Sequence, residues 1–374
     1  MFTEGQMKII YRLALMAISA LSATVAQAQP IVVADSGDTA WMLSAAAVVL
    51  IAALPGFALF QRHDRSEDDG SAMLISVAVG SLVFAVIGYS LAFGEGSSLI
   101  GGSGNAMLAN MAELRANTTI SDSVYAVFQL AIALFAISII VSSIADTARV
   151  GWLVGFVSLW SLVVYAPIAH WIWGDGWLAG LGVLDFSGGL VVQVAAGTST
   201  LVIALLLGRG SENVADDSKL PLAGLCMIWI GWLGVVGGSA LGGNDDAATA
   251  MLNAHFAASA ALLTGFAITR WRRKDPGAYG YGSAAIAGLA AISTGAAYVG
   301  PAGAMALGGL GAVTAWVGSS LMARLNLGAT SGAFFSCGCG GIIGAIAFPV
   351  FVLPAFGGPG FDAGVSLLTQ IVAQ

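Results

Sequence analysis

LDFSGGLVVQVAAGTSTLVIALLLGRG, Leu184 to Gly210, is the stretch on which the fold turns. An aspartate stands at the mouth of an apolar run, and a glutamine, Gln193, sits inside it. The run has the length of about 20 residues that an α-helix needs to cross a bilayer. Burying an amide there without a partner costs a few kcal/mol. Polar side chains at that depth face a bundle interior or a water-filled path. The plainer role for Gln193 is a helix-to-helix hydrogen bond, worth about 1 kcal/mol.

Composition extends this reading to the whole chain. Of 374 residues, 58% are hydrophobic and only 9% are charged, against about 25% charged in a soluble domain. So few charges cannot cover a surface in water. Windows of sufficient length fall near 40–60, 73–93, 123–145, 150–173, 187–208, 220–242, 249–269, 281–298, 302–323 and 331–353. Strands of a membrane barrel are about half as long and alternate in polarity; these runs do not. The 51 glycines follow no collagen-like period and suit close approach of helix backbones. The expected fold is an all-α polytopic membrane protein of ten spans.

Several function classes drop out. The basic residues are few and scattered, which excludes nucleic acid as a partner, and the net charge of -7 resides in loops. The cysteines, Cys226, Cys337 and Cys339, are odd in number and lie in apolar runs, which argues against a disulfide framework. Cys337-Gly-Cys339 offers too few ligands for zinc. With no metal cluster and no nucleophile–base pairing, an enzyme finds no support, and no cofactor is expected.

The N-terminus combines a basic start (Lys8, Arg12), an apolar core from Leu13 to Leu21 and a small-residue pattern at Ala26-Gln27-Ala28. Residues 1–28 therefore read as a signal peptide, with Met7 as an alternative start. Outside it, the Lys and Arg residues other than Arg115 fall in loops that follow odd-numbered spans. Those loops are then cytoplasmic, and the first span starts outside, in agreement with a cleaved signal. The tail GVSLLTQIVAQ looks like the opening of an eleventh helix cut short.

A local repeat points inward. Ser187 to Gly197, SGGLVVQVAAG, aligns with Ser331 to Gly341, SGAFFSCGCGG, and sets Gln193 opposite Cys337. The first copy opens a span that starts outside, the second a span that starts inside. Inverted repeats of this kind place a transport path near the midplane at their interface. A small buried hydrophobe is the bland role for Cys337.

At this point the chain resembles the ammonium transporter (Amt/Mep/Rh) family. The resemblance is carried by WGDGWLAGLGVLDFSGGLVVQVAAGTSTLVIALLLGRG from Trp173, IGYSLAFGEG, AVFQLAIALFA, YAPIAHWIWG, IGWLGVVGGSALGG, SAAIAGLAAIS and CGCGGIIGAI, and covers roughly residues 38 to 370, within a transmembrane domain of residues 38–374. It implies a homotrimer of eleven-helix subunits in the inner (plasma) membrane, each with its own pore and a five-plus-five inverted repeat. Ammonium or ammonia is the implied substrate and membrane lipid the surroundings; a PII-type regulatory partner is left open. The resemblance places an outer cation site at Trp173, Phe128 and Ser239, supported by Asp185 at a helix N-cap. An aromatic face attracts a cation by about 0.5–2 kcal/mol, and a hydroxyl lends a lone pair to an ammonium proton.

The inner path departs from the family pattern. The two pore histidines fall on Gln193 and Cys337, and the two gate phenylalanines on Ile132 and Val235. A glutamine cannot pass a proton as an imidazole can near neutral pH, so a paired-histidine relay is absent while a polar midpoint survives. Two other histidines remain. His170 matches the family and reads as structural or vestibule-lining; His255 is an intramembrane ionisable group, for which an interhelical hydrogen bond or a subunit interface is the competing role. Two rivals to transport follow from the altered pore: a sensor that binds ammonium and conducts little, and a pore for another small solute.

Overall fold

The computed structural model describes residues 33–61, 69–145, 147–207, 219–273, 277–325, 327–361 and 366–374; the signal peptide expected at residues 1–28 lies outside them. Residues Ala34–Gln374 form one compact unit. Its helices are α1 (Ser36–Phe60), α2 (Ser71–Phe93), α3 (Asp122–Ile144), α4 (Val150–Gly180), α5 (Gly189–Leu207), α6 (Lys219–Gly238), α7 (Asp245–Arg272), α8 (Gly277–Ser293), α9 (Pro301–Met322), α10 (Phe334–Val352) and α11 (Leu367–Ala373). Nine of them, all but α8 and α11, are long and apolar enough to cross a membrane.

Short polar residues start the helices. Asp35, Ser121, Asn244 and Ser366 each accept the N–H three residues on, which satisfies donors that a helix start leaves without partners. Asp38 accepts Gly243 N–H at 2.9 Å and the Thr119 hydroxyl, tying α1 to the segments before α3 and after α6.

Helices α3 and α8 lie deep in the bundle. α3 is buried almost all round, as expected of a helix that is apolar on every face, and packs on α1, α2 and α5. α8 is buried from Ala284 to Ser293 and packs on α7, α9 and α10. Small residues permit this closeness: a Cβ at Gly311 of α9 would stand 2.4 Å from the Ala287 carbonyl oxygen of α8.

Two boundaries differ from the sequence expectation. α8 stops at Ser293, not near 298, because Phe186 and Ser187 donate their N–H groups to the carbonyls of Thr294 and Ser293, both at 3.0 Å. α6 stops at Gly238, not 242, and Leu241 turns the chain with φ of 56°. The tail forms α11, whose Gln370 and Gln374 side chains donate to the carbonyls of Gly182 and Leu184.

Candidate functional site: an aromatic cavity and a buried amide

On α3, Tyr125, Phe128, Gln129 and Ile132 follow the i, i+3, i+4, i+7 spacing of one helix face. All four line a cavity of about 170 Å³. Trp173 closes it from α4, Phe186 from the link to α5, and Ser239 and Leu241 from the turn after α6. The three residues expected at an outer site, Phe128, Trp173 and Ser239, thus meet in one cavity although they are far apart in sequence. Since one water takes up about 30 Å³ of liquid, the space suits a small solute with a few waters.

Two of the polar groups here keep acceptor capacity. The Ser239 hydroxyl donates to the Val235 carbonyl at 2.8 Å, which leaves its lone pairs for an incoming donor. Gln129 is buried, and its Oε1 has no partner. The Trp173 Nε1–H is engaged at 2.7 Å with the Asp185 backbone carbonyl, which fixes the ring. Arg115 stands outside this set: its guanidinium lies 4.4 Å from the centre of the Tyr125 ring, and its Nη1 is 3.5 Å from Asp122 Oδ1.

Asp185 works differently from a simple N-cap. Gly188, with φ of 88°, intervenes before α5. The carboxylate reaches across this turn and accepts four backbone N–H groups, of Gly188 (3.0 Å), Gly189 (2.6 Å), Leu190 (2.9 Å) and Val191 (2.9 Å). Burial pushes its pKa up to about 6, and the four N–H groups pull the other way. The four N–H groups use the acceptor positions of the carboxylate, with none left over for a ligand.

Below this cavity α5 crosses α10. Gly197 lies against Gly338: a Cβ there would come within 2.5 Å of the Gly338 Cα and N and 3.5 Å of the Cys337 carbonyl carbon. A Cβ on Gly341 would lie 3.1 Å from the Gln193 Cβ. Gln193 and Cys337 are therefore on facing segments of one crossing, and both are buried. Each segment is wound as a wide π-helical turn, Gly189–Val194 and Phe334–Gly338, at the same register of the aligned copies. Among the described residues, neither the amide nitrogen nor the amide oxygen of Gln193 has a hydrogen-bond partner. Of the two expected gate positions, Ile132 lines the outer cavity; Val235 is buried one turn before Ser239 and does not line it.

The histidines lie elsewhere. The buried His170 ring bridges the carbonyls of Ala92 (3.1 Å, Nδ1) and Ser97 (2.7 Å, Nε2), which ties α4 to the end of α2. His255 faces outward on α7, its ring 5.4 Å from that of Trp229. It makes no ring hydrogen bond among the described residues, so in place of the expected interhelical bond the ring packs beside Trp229 at the surface of the chain. The three cysteines are free.

Sequence reasoning did not single out Tyr125, Phe186 or Leu241. Tyr125 was within reach, one turn before Phe128 on the same face. Phe186 and Leu241 owe their places to the 181–188 link and to a left-handed turn, which have no periodic signal.

Comparison with known proteins places this geometry. The profile of the Ammonium Transporter Family matches residues 40–374. Ammonium transporter Amt1 of Archaeoglobus fulgidus is 32% identical over 354 residues, 91% of this chain and 88% of that protein. The ammonium transporter of Bacillus subtilis is 35% identical over 337 residues, 87% and 83% of the two chains. Among solved structures, Saccharomyces cerevisiae Mep2 superimposes with a TM-score of 0.82 at 26% identity, covering 91% of this chain and 81% of that one. A sensor Amt protein does so with 0.82 at 25%, covering 90% and 87%. From fold and sequence together, the chain belongs to the ammonium transporter family.

Proposed function

We propose that the protein carries ammonium or ammonia across a membrane, with the cation captured in the outer cavity by Trp173, Phe128 and Ser239. The observation that carries this reading is the convergence of two aromatic rings and a hydroxyl acceptor on one cavity of about 170 Å³. Ser239 Oγ and Gln129 Oε1 can accept hydrogen bonds there, as a donor-only cation requires. Asp185 is a supporting residue that sets the start of α5 and, through its carbonyl, the Trp173 ring. Gln193 and Cys337 at the α5–α10 crossing form the polar midpoint of the path, with Ile132 and Val235 as its apolar constriction. The unpartnered Gln193 amide favours a luminal role over a helix-to-helix bond. No imidazole stands at the crossing, so protons are not relayed there between side chains.

The same proposal includes a homotrimer, a five-plus-five inverted repeat, and an inner-membrane location with the first span starting outside. A PII-type regulator would meet the opposite, cytoplasmic face.

The test is uptake of labelled methylammonium into vesicles. Removing the hydroxyl acceptor in Ser239→Ala is expected to raise the half-saturating concentration roughly tenfold, from about 1.5 kcal/mol for a hydrogen bond to a charged group. Trp173→Ala is expected to lower uptake comparably through the lost cation–π contact. Unchanged uptake in both variants of an active preparation would overturn the site.

A further inference from the structure

Trp41, near the start of α1, donates to the Gly237 carbonyl beside the outer cavity. Phe60 ends the same helix, roughly 28 Å further along at 1.5 Å per residue. There its ring stacks on that of Tyr279, in the opening turn of α8, with centroids 5.0 Å apart and planes 19° from parallel. No solute fits between ring faces this close.

Phe60 cannot retreat. It is fully buried. A Cβ on Gly224 of α6 would stand 2.4 Å from its backbone N, and one on Gly282 of α8 would stand 2.4 Å from its ring edge. Its neighbour Gln61 accepts the Ser143 hydroxyl of α3 at 2.9 Å. Tyr279 is held less: it is half-buried, and Gly277, Ala278, Gly280 and Gly282 flank it, so a change of χ1 rotamer meets little from its own turn. Its hydroxyl lies against the opening of α10, where a Cβ on Gly332 would be 3.0 Å away. Cys337 follows about 7 Å deeper at 1.5 Å per residue. The ring pair therefore spans from α1 to the start of α10, between Cys337 and the end of the bundle. The two constriction residues expected nearer the outer cavity, Ile132 and Val235, are aliphatic; the flat rings of this path stand at its other end.

We propose that Tyr279 sets the rate at which solute leaves the path: its ring, stacked on Phe60, closes the end remote from the outer cavity, and passage requires it to turn aside. This rests on the transport reading above. Tyr279 is the moving member because Phe60 is wedged by α3, α6 and α8. An aromatic stack favours the closed arrangement by roughly two- to tenfold over an unstacked one, a bias that holds the exit shut without locking it.

The experiment uses the full chain with Cys226 and Cys339 replaced by serine, so that Cys337 is the remaining thiol. A membrane-impermeant methanethiosulfonate reagent is applied to vesicles of either orientation, and methylammonium uptake is measured in the same preparations. From the side of Phe60 and Tyr279, Cys337 is expected to be protected in the parent and in Tyr279→Phe, which keeps the ring, and to react severalfold faster in Tyr279→Ala. The maximal uptake rate of Tyr279→Ala should rise severalfold with the half-saturating concentration unchanged, because the outer cavity is untouched. If Tyr279→Ala does not fold, Tyr279→Leu, closer in volume, should move both readouts the same way. Cys337 labelled in the parent as fast as in the ring-free variants overturns the proposal. So does uptake that stays the same or falls in those variants of an active parent. Faster uptake with Cys337 unlabelled in every variant upholds the role of Tyr279 and removes Cys337 from the path. A chain in which no form takes up methylammonium refutes the transport reading, and labelling then decides the closure by itself.

Discussion

Gly197→Ala adds a single methyl group at the point where α5 crosses α10, and the structure sets its cost. The new Cβ would stand 2.5 Å from both the Cα and the N of Gly338. Carbon atoms in good contact are about 3.5–4.0 Å apart, so the helices must separate by roughly 1 Å. The obstacle is backbone, which cannot rotate away. Overpacking of this kind costs about 1–3 kcal/mol, while alanine in place of glycine inside a helix returns about 0.5–1 kcal/mol. The net is a loss of roughly 1–2 kcal/mol, or a few degrees in apparent melting temperature. Two other substitutions of the same chemistry serve as references. At Gly338 the first obstacle is the Phe334 ring at 2.7 Å, a side chain that can turn, so Gly338→Ala is expected to cost less. At Gly155 of α4 nothing lies within 4 Å, and Gly155→Ala is expected to be neutral or to stabilise by about 0.5–1 kcal/mol. Because Gln193 sits one turn from Gly197, methylammonium uptake should fall with stability in Gly197→Ala only. A Gly197→Ala protein as stable as its Gly155→Ala counterpart, with full uptake, would refute the packing of α5 on α10.

Other consequences can be measured in the same preparations. Asn253 donates from Nδ2 to the carbonyls of Ala296 (2.8 Å) and Val299 (2.7 Å); Asn253→Ala leaves both buried acceptors unmet and should cost about 2–4 kcal/mol, read as a lower melting temperature. Arg115→Gln removes a positive charge packed on Tyr125 at the cavity wall, so the half-saturating ammonium concentration should fall a few-fold, most at low salt because screening weakens such effects. His255→Leu alters an outward-facing ring and should leave the pH profile of uptake unchanged, which assays between pH 5.5 and 8 would check. The Gln193→His/Cys337→His double variant should introduce a pH dependence in that range that the parent lacks.

Much of this was legible in the residues, and the rest was hidden for identifiable reasons. Span lengths follow from apolar runs because a bilayer allows no other backbone solution than helix or closed barrel. The i, i+3, i+4, i+7 face of α3 gives Phe128 and Ile132 their common side without a structure. Asp185 was recognisable as a helix-start residue, but its reach across Gly188 to four N–H groups depends on one left-handed glycine. The early end of α8 comes from carbonyls taken by Phe186 and Ser187, about a hundred positions earlier in the chain, a contact no local pattern records. His255 shows the opposite difficulty: its ionisable ring marks it as notable, yet the sequence does not say which way a helix with small residues on many faces is turned.

The wide windings at Gly189–Val194 and Phe334–Gly338 carry a further implication. A π-turn fits more residues into one revolution than the regular α-helix, so it acts as a phase shift in the helix that contains it. Deleting one residue from 189–194 would let the chain resume 3.6 residues per revolution, and everything beyond would swing by about 100°. Gly197 would then leave its notch and present a different flank to α10. The two relaxed windings thus act as paired angular settings, and the alignment of α5 on α10 depends on both being kept.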